Sequence, residues 1–239
     1  AETGAPTFAF GPHGDDTWDI GQDPPEVLAA EELEAAERRA ASGQGDDVDA
    51  EPVMEESTDR SFAPDVVVGT GDEVAAGDGW RMTALHTPGH TSNHTCFALD
   101  DGTTRTIFTG DHVMGWSTTV VSPPDGDMAA YLESLRVVAG RKDDVAVPTH
   151  GPPIDDPQRF VSELIEHRLE RERQVLAAVR GGTDTIAAMV ELLYVDVRRE
   201  LYKPARRSVL AHLVKLIADG TVVVDGGTPA KLDATYVAV

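Results

Sequence analysis

Histidine and aspartate stand at three points of this sequence where a predicted strand runs into a tight turn. These points are His86-Thr87-Pro88-Gly89-His90-Thr91, Thr109-Gly110-Asp111-His112 and Pro148-Thr149-His150-Gly151-Pro152. Such turns hold a side chain rigidly at the edge of a sheet, and imidazole nitrogen and carboxylate oxygen are the ligands that a catalytic Zn²⁺ uses. We therefore predict that His90, Asp111 and His150 are metal ligands, which requires their strands to be neighbours in one sheet.

Each candidate ligand also has a simpler interpretation, because a lone histidine at a strand end is usually a polar cap. The metal interpretation is favoured when the three residues are taken together, in this order and in these turns. Three further histidines flank the candidates, and we expect them to be structural or to support the ligands through hydrogen bonds: His86, His94 and His112. His13 lies in an acidic loop and His212 in a predicted helix, and neither is expected to form a site.

The elements that position these turns are short strands, followed by helices. Strands are predicted at 66–68, 80–86, 94–99, 106–109 and 145–147, with one helix at 128–139. After Pro157, helices are predicted at 159–180, 184–194 (capped by Thr183) and 205–218, and strands at 221–224 and 236–239. This order is typical of a winged helix. We predict an α/β domain at 1–157, with an insert at about 26–61 made of a solvent-facing helix (26–41) and an acidic loop, and a winged-helix domain at 158–239.

Composition narrows the classes of function and partner. The 239 residues carry a net charge of −22, and such an acidic surface disfavours duplex DNA. No apolar run reaches the roughly 18 residues that a membrane span needs. The single cysteine, Cys96, cannot form an internal disulfide, which favours a reducing, cytoplasmic compartment. We expect Cys96 to be a small buried side chain on a strand.

The three turn motifs, together with His94, resemble the later motifs of metallo-β-lactamase-fold hydrolases. The segment from Glu166 to Leu176 resembles the helix that opens the winged-helix domain in the lactamase-β-like branch, and Ser117-Thr118-Thr119-Val120 and Tyr131–Leu135 also resemble that branch. The resemblance runs from about Ala1 to Val224, apart from the insert. It implies an incomplete αββα metallo-β-lactamase sandwich followed by a small winged-helix domain.

The resemblance also implies roles for the ligands. His90 would bind the first of two metals, Asp111 would bridge both, and His150 would bind the second, with Zn²⁺ the expected ion and other divalent metals possible. The family's first motif, His-x-His-x-Asp-His, is absent, and Ala1–Thr7 resembles the segment directly after that motif. The expected activity is hydrolysis of an ester, thioester or phosphodiester by metal-activated water, crippled in this polypeptide. Aspartate at position 111, where true zinc β-lactamases commonly have cysteine, argues against antibiotic hydrolysis.

Two alternatives stay open at this point. A basic cluster in the terminal module could bind single-stranded RNA, as in endoribonuclease relatives of this branch: Arg198, Arg199, Lys203, Arg206 and Arg207, with Lys215 nearby. Against this, such a cluster is often a solvated helix face with local salt bridges. The chain could also be a non-catalytic fragment.

Overall fold

A computed structural model describes residues 4–14, 17–25, 27–29 and 62–239. The predicted helix at 26–41 and the acidic loop after it lie outside the described residues, except for 27–29, which are helical. Within the described ranges, none of the helices is both long and apolar enough to cross a bilayer.

A five-stranded sheet is the centre of the N-terminal part. A two-residue parallel pair, β1 (Phe8–Ala9) and β2 (Val66–Val67), lies outside it. The sheet strands are, in spatial order, β3 (Glu73–Gly77), β4 (Trp80–His86), β5 (Thr95–Asp100), β6 (Arg105–Gly110) and β7 (Val145–Pro148). The first four are antiparallel, whereas β6 and β7 are parallel. Strand β3 was not predicted from the sequence, because this mostly exposed edge strand contains a single large apolar residue.

One helix crosses from β6 to β7 and covers the sheet. Helix α1 (Met128–Ala139) begins at Asp127, whose carboxylate accepts a hydrogen bond from the Ala130 amide. Its buried face packs with the inner face of the sheet into one apolar cluster. Cys96 lies in that cluster, fully buried, and burial raises the pKa of its thiol to about 12. The expectation that Cys96 is a core residue is confirmed.

The long helix α2 (Pro157–Arg180) belongs to two cores. Asp156 caps it and Pro157 opens it, both of which favour a helix start at this point. Its 24 residues extend over about 36 Å. Val161 and Leu164 pack into the sheet cluster, whereas Val175 and Val179 pack into the second cluster. The domain boundary at 157/158 stays a prediction, because this helix contributes to both sides of it.

The second core is built by the terminal elements. These are α3 (Ile186–Leu193), α4 (Tyr202–Ala218) and the antiparallel pair β8 (Val222–Val224) and β9 (Tyr236–Ala238). The prediction of a mostly helical unit with a small hairpin over 158–239 is confirmed. One detail was wrong: α3 is capped by Thr185 rather than Thr183, because the Thr185 side chain accepts from the Ala188 amide and the helix begins two residues later than expected.

Candidate metal centre

The three predicted ligands meet at one edge of the sheet. His90 lies in the turn between β4 and β5, and Asp111 and His150 follow the ends of β6 and β7. The His90 Nε2 atom lies 4.0 Å from Asp111 Oδ2, and the His150 Nε2 atom lies 3.6 Å from Asp111 Oδ1. The prediction that these side chains lie close together is confirmed. Because β6 and β7 are parallel, their carboxyl ends reach the same edge, which brings Asp111 and His150 together.

Asp111 has the environment of a carboxylate that is ready to bind a cation. It presents one oxygen to each imidazole, and Oδ1 is buried without a hydrogen-bond partner among the described residues. Two ligand atoms that are each about 2.1 Å from one tetrahedral ion lie about 3.4 Å apart, which is near the observed separations. The donor types and the orphaned oxygen therefore fit a divalent metal. However, within the described ranges no group of three or more His, Cys, Asp or Glu side chains is placed so that it could hold a metal ion by itself.

His90 is held in the tautomer that a metal ligand needs. Its Nδ1 atom lies 2.7 Å from the carbonyl oxygen of Val120, which can only accept a hydrogen bond. Nδ1 therefore carries the proton, and the lone pair of Nε2 faces Asp111. The turn itself requires glycine at 89, where φ is +136° and a Cβ would lie 2.3 Å from the Tyr131 Cα atom of α1.

The loops that carry Asp111 and His150 are packed backbone against backbone. The Gly115 amide donates to the His150 carbonyl at 2.8 Å. Gly151 has φ of +94°, and a Cβ there would lie 2.8 Å from Gly115 atoms. The Thr119 hydroxyl closes the first loop on itself by donating to the Asp111 carbonyl at 2.6 Å. The two ligands are thus fixed relative to each other by contacts that a side chain at 151 would break.

Comparison with known proteins identifies the family to which this chain belongs. The model of the metallo-beta-lactamase superfamily matches residues 13–150, more than half of the chain. This chain belongs to the metallo-beta-lactamase superfamily. The model of the beta-lactamase associated winged helix domain matches residues 185–231, so both parts of the predicted architecture are confirmed.

Relatives of this superfamily member include named hydrolases. An atrochrysone carboxyl ACP thioesterase of Aspergillus chevalieri is 34% identical over 154 residues, which is 61% of this chain and 48% of that protein. A beta-lactamase-like protein 2 homolog of Drosophila melanogaster is 32% identical over 60% of this chain and 48% of that protein. The chain therefore spans about half the length of these curated relatives.

Solved structures agree on the fold. A metallo-beta-lactamase family protein from Thermus thermophilus superposes with a TM-score of 0.58 at 24% identity, over 71% of this chain and 53% of that one. A beta-lactamase domain protein from Burkholderia ambifaria gives 0.59 at 23% identity, over 71% and 51%. At these identities the likeness concerns the fold alone.

The flanking histidines of this superfamily member lie around the candidate ligands. His86 Nε2 must donate to the Ser92 carbonyl, and its ring stacks on Phe10 with the ring centroids 3.5 Å apart. These two contacts hold His86 at the side of the site. His94 is within hydrogen-bond distance of the Thr87 hydroxyl, and its ring lies 6.2 Å from that of His90. Burial, followed by the nearby His90 and His86, lowers the pKa of His94 to about 4. That these histidines support the ligands stays a prediction.

His112 is the deepest of the flanking histidines. It is fully buried, and burial lowers its pKa well below the usual range, so the ring is neutral. Its carbonyl accepts a hydrogen bond from the Tyr131 hydroxyl at 2.9 Å. His13, by contrast, is bound to the Asp125 carboxylate at 2.8 Å through Nδ1.

The predicted basic patch was partly wrong. Arg206 is 2% exposed, because it lies on the apolar face of α4 next to Ala205 and Val209. Its guanidinium binds the Asp23 carboxylate through Nε (2.5 Å) and Nη2 (3.1 Å). Arg207 donates to the Ser122 hydroxyl at 3.2 Å. Arg198, Arg199 and Lys203 remain at the surface, with Arg199 6.0 Å from the Tyr202 ring centroid.

A shallow apolar groove begins beside His150. Trp116, 73% exposed, lies parallel to the His150 ring with centroids 6.3 Å apart. The groove has a volume of about 250 Å³ between the loop 115–118 and the first turns of α2, where Phe160 and Leu164 form its apolar wall. Glu163 and His167 lie at its side.

Several residues behind the ligands have roles that were not predicted from the sequence. Thr119, Tyr131 and Arg168 stood out there only as parts of family-like segments. A signal that was not used existed for Arg168: it follows Val161 and Leu164 at the spacing of one helix face, which indicates a buried position for this cation. Its partner could not be read from the sequence.

Proposed function

We propose that this chain contributes His90, Asp111 and His150 to a two-metal hydrolase centre, with Zn²⁺ as the resident ion. The observation that carries the proposal is Asp111, which offers one oxygen to each imidazole and keeps a buried oxygen without a hydrogen-bond partner in the described part of the chain. When bound, a pair of divalent ions supplies an activated water and neutralises developing negative charge. The fully buried cysteine fits a reducing, cytoplasmic setting, which we retain as part of the proposal.

The chain's own residues would then orient the reactants. Asp111, whose backbone carbonyl accepts a hydrogen bond from the Thr119 hydroxyl, would serve as a metal ligand, and His90 would present Nε2 because its Nδ1–H donates to the Val120 carbonyl. A catalytic zinc takes three protein ligands of its own. Three donors shared between two ions are too few, so further ligands must come from outside the described residues. We expect the 239-residue polypeptide to bind metal weakly and to hydrolyse substrates slowly.

A thioester with an apolar acyl group is the substrate that the surroundings favour. A relative of this superfamily member is named as a thioesterase. The groove that starts at Trp116 offers apolar walls next to the candidate ligand His150. Other esters use the same chemistry. Single-stranded RNA is less favoured, because Arg206 is buried and Arg207 is turned inward towards Ser122.

Metal titration tests the proposal directly. Co²⁺ or Zn²⁺ added to the protein should be taken up, with absorption bands typical of nitrogen and oxygen ligands for Co²⁺. His90→Gln, Asp111→Asn and His150→Gln should each weaken uptake at least about tenfold, since each removes a ligand. His167→Gln, which removes an exposed histidine from α2, is the matched control and should change nothing. Equal uptake by all four variants would contradict the assignment of the ligands.

Hydrolysis assays test the proposed activity and its expected low rate. A thioester, a generic phosphodiester and a short single-stranded RNA should each be turned over slowly, if at all, with the thioester fastest. Two tightly bound metals per chain together with rapid turnover would contradict the expected shortage of ligands. Asp15 and Asp16 would then be the first alternatives to test, although they lie outside the described residues.

The groove has its own test. Isothermal titration calorimetry can follow the binding of a non-hydrolysable thioether that carries either a two-carbon or a ten-carbon chain. Trp116→Ala should weaken binding of the long chain by about 5–30-fold, because the lost contact with a few methylenes corresponds to about 1–2 kcal/mol. Trp80→Ala, at another exposed tryptophan, is the control. Equal losses of affinity for the two chain lengths would contradict a role of Trp116 in binding the acyl chain.

A further inference from the structure

Arg168 is a buried cation on the helix that joins the two cores. It is 4% exposed, and its guanidinium lies 5.4 Å from the centroid of the Tyr131 ring. Its Nη2 atom donates a hydrogen bond to the Thr119 carbonyl, while Nε has no hydrogen-bond partner among the described residues. A buried charge that binds a carbonyl rather than a carboxylate is costly to desolvate. Apolar packing of the helix therefore does not explain why a cation is buried at this position.

The carbonyl that Arg168 holds belongs to the segment that positions two candidate ligands. The carbonyl oxygen of Val120, the next residue, accepts a hydrogen bond from His90 Nδ1 at 2.7 Å. The Thr119 hydroxyl donates to the Asp111 carbonyl at 2.6 Å and lies 3.1 Å from the His112 carbonyl. A displacement of Thr119 would therefore change the orientation of His90 and of Asp111 at the same time.

Tyr131 ties the same segment to α1. Its hydroxyl donates to the His112 carbonyl at 2.9 Å, and its ring receives the Arg168 guanidinium. Arg168 and Tyr131 thus clamp the segment 112–119 from two helices. The planar guanidinium suits this place, because it can bind a carbonyl and lie against an aromatic ring at once, which a lysine ammonium does less well.

We propose that Arg168 is a positioning residue for the candidate metal centre. From α2 it holds the Thr119–Val120 backbone, which fixes the tautomer and direction of His90 and the backbone of Asp111. The helix that opens the winged-helix part would in this way contribute to the centre without supplying a ligand. The inference rests on the proposed function of the three ligands.

Arg171 provides a matched control on the same helix. It also donates to a backbone carbonyl, that of Leu193 at 2.8 Å, and its guanidinium lies 4.1 Å from the Tyr194 ring centroid. These contacts have the same chemistry, but they lie in the winged-helix core and do not involve the Asp111–Val120 segment. A purely structural role for Arg168 predicts similar consequences for Arg168→Met and Arg171→Met.

The experiment combines metal affinity with the state of His90. Arg168→Met should weaken Zn²⁺ or Co²⁺ binding by about 10–100-fold, as is usual when a group that orients a metal ligand is lost. Arg171→Met should leave the affinity unchanged within about threefold. Arg168→Lys, which retains one donor, should recover part of the loss and also serves if the Met variant does not fold. In the metal-free protein, long-range ¹H–¹⁵N spectra should show the Nδ1 proton of His90 in the wild type and a mixture of tautomers in Arg168→Met.

Two results would overturn the inference. One is equal loss of metal affinity in Arg168→Met and Arg171→Met; the other is an unchanged His90 tautomer in Arg168→Met and Arg168→Lys. If the wild type binds no metal at all, the proposed function fails, but the tautomer measurement still decides whether Arg168 positions His90.

Discussion

At the edge of the sheet, Asp111 stands between His90 and His150 with an oxygen that no described group satisfies. Against helix α4 of the winged-helix part, Asp23 from the N-terminal segment is a deeply buried carboxylate whose two oxygens both bind the Arg206 guanidinium. The Asp111 side chain is 36% exposed, and one of its oxygens is buried without a hydrogen-bond partner among the described residues. The Asp23 side chain is only 7% exposed, and the Arg206 guanidinium neutralises its charge. The Asp111 arrangement is therefore suited to binding a cation, whereas the Asp23–Arg206 pair is suited to holding two segments of the chain together.

The same contrast extends to other polar groups of the two regions. Around Asp111, the two ring nitrogens of His112 also have no hydrogen-bond partner among the described residues. On α2 and α4, Lys215 binds Glu172 at 3.0 Å and Asp219 at 2.7 Å. Among the cations predicted to form a basic cluster, Arg206, Arg207 and Lys215 are therefore held by internal contacts, whereas Arg198, Arg199 and Lys203 remain exposed.

The largest expected effect comes from breaking the satisfied pair. Arg206→Met should destabilise the protein by about 3–5 kcal/mol, because Asp23 would remain buried without its partner. The double variant Arg206→Met, Asp23→Leu should be less destabilised than the single one, since the Asp23 carboxylate is then no longer buried without Arg206. Urea unfolding of the three proteins measures both effects. A loss below about 1 kcal/mol in the single variant would show that the pair is solvated in solution.

Removing the Asp111 carboxylate should change metal binding rather than the stability of the metal-free protein. Asp111→Asn should leave the stability of the metal-free protein nearly unchanged, because no described hydrogen bond of its side chain is lost. The stabilisation by added Zn²⁺, which is about 2.7 kcal/mol at a metal concentration about 100 times the wild-type Kd, should fall to about 1.4 kcal/mol or less, because the affinity falls at least about tenfold. Thermal melts with and without Zn²⁺ test this. A strongly destabilised metal-free variant would mean that Asp111 is structural.

The Glu172 interactions predict a smaller, pH-dependent effect. Burial acts to raise the pKa of Glu172, but the nearby His212, whose Nδ1 lies 3.8 Å from Oε2, and the hydrogen bond from Lys215 outweigh it and lower the pKa. A lowered pKa in the folded state means that the stabilisation is present above the unfolded value of about 4.3 and is lost as the pH falls through the folded value. Glu172→Gln should cost about 1–2 kcal/mol at about pH 7.

The control for this prediction is the pH series itself. The difference in unfolding free energy between wild type and Glu172→Gln should shrink steadily as the pH is lowered from about 5 to about 3. Lys215 does not interfere with this measurement. Burial acts to lower its pKa, but Asp219 and Glu172 raise it more, so the contribution of Lys215 to stability is lost only in alkaline solution. A difference that stays constant down to about pH 3 would show that Glu172 acts through packing rather than charge.

The smallest effects are expected at the remaining surface cations. Lys203→Ala and Arg198→Ala should change neither stability nor hydrolysis measurably, because both residues are exposed. Binding of a short single-stranded RNA should be weak and equally weak in the variants. A salt-sensitive loss of tight RNA binding in either variant would revive the nucleic-acid alternative.

Local pattern alone determined most of the elements and the identity of the candidate ligands. Strand β4 and helix α1 follow directly from alternation and from helical periodicity, and the turns after β4, β6 and β7 are marked by Gly and Pro. The combination of His90, Asp111 and His150 in these turns was specific enough to indicate both the family and the edge of the sheet where the residues meet.

Only the tertiary structure decided how polar side chains are paired. Arg206 and Asp23 are 183 residues apart, and no local rule links them. Arg168 and Thr119 are likewise joined only because α2 lies across the loop that follows Asp111. Sequence periodicity reports which face of an element is buried, but the partner of a buried charge depends on which distant segment reaches that face. For this reason the candidate ligands could be named from the sequence, whereas Arg168, the residue that we propose positions them, could not.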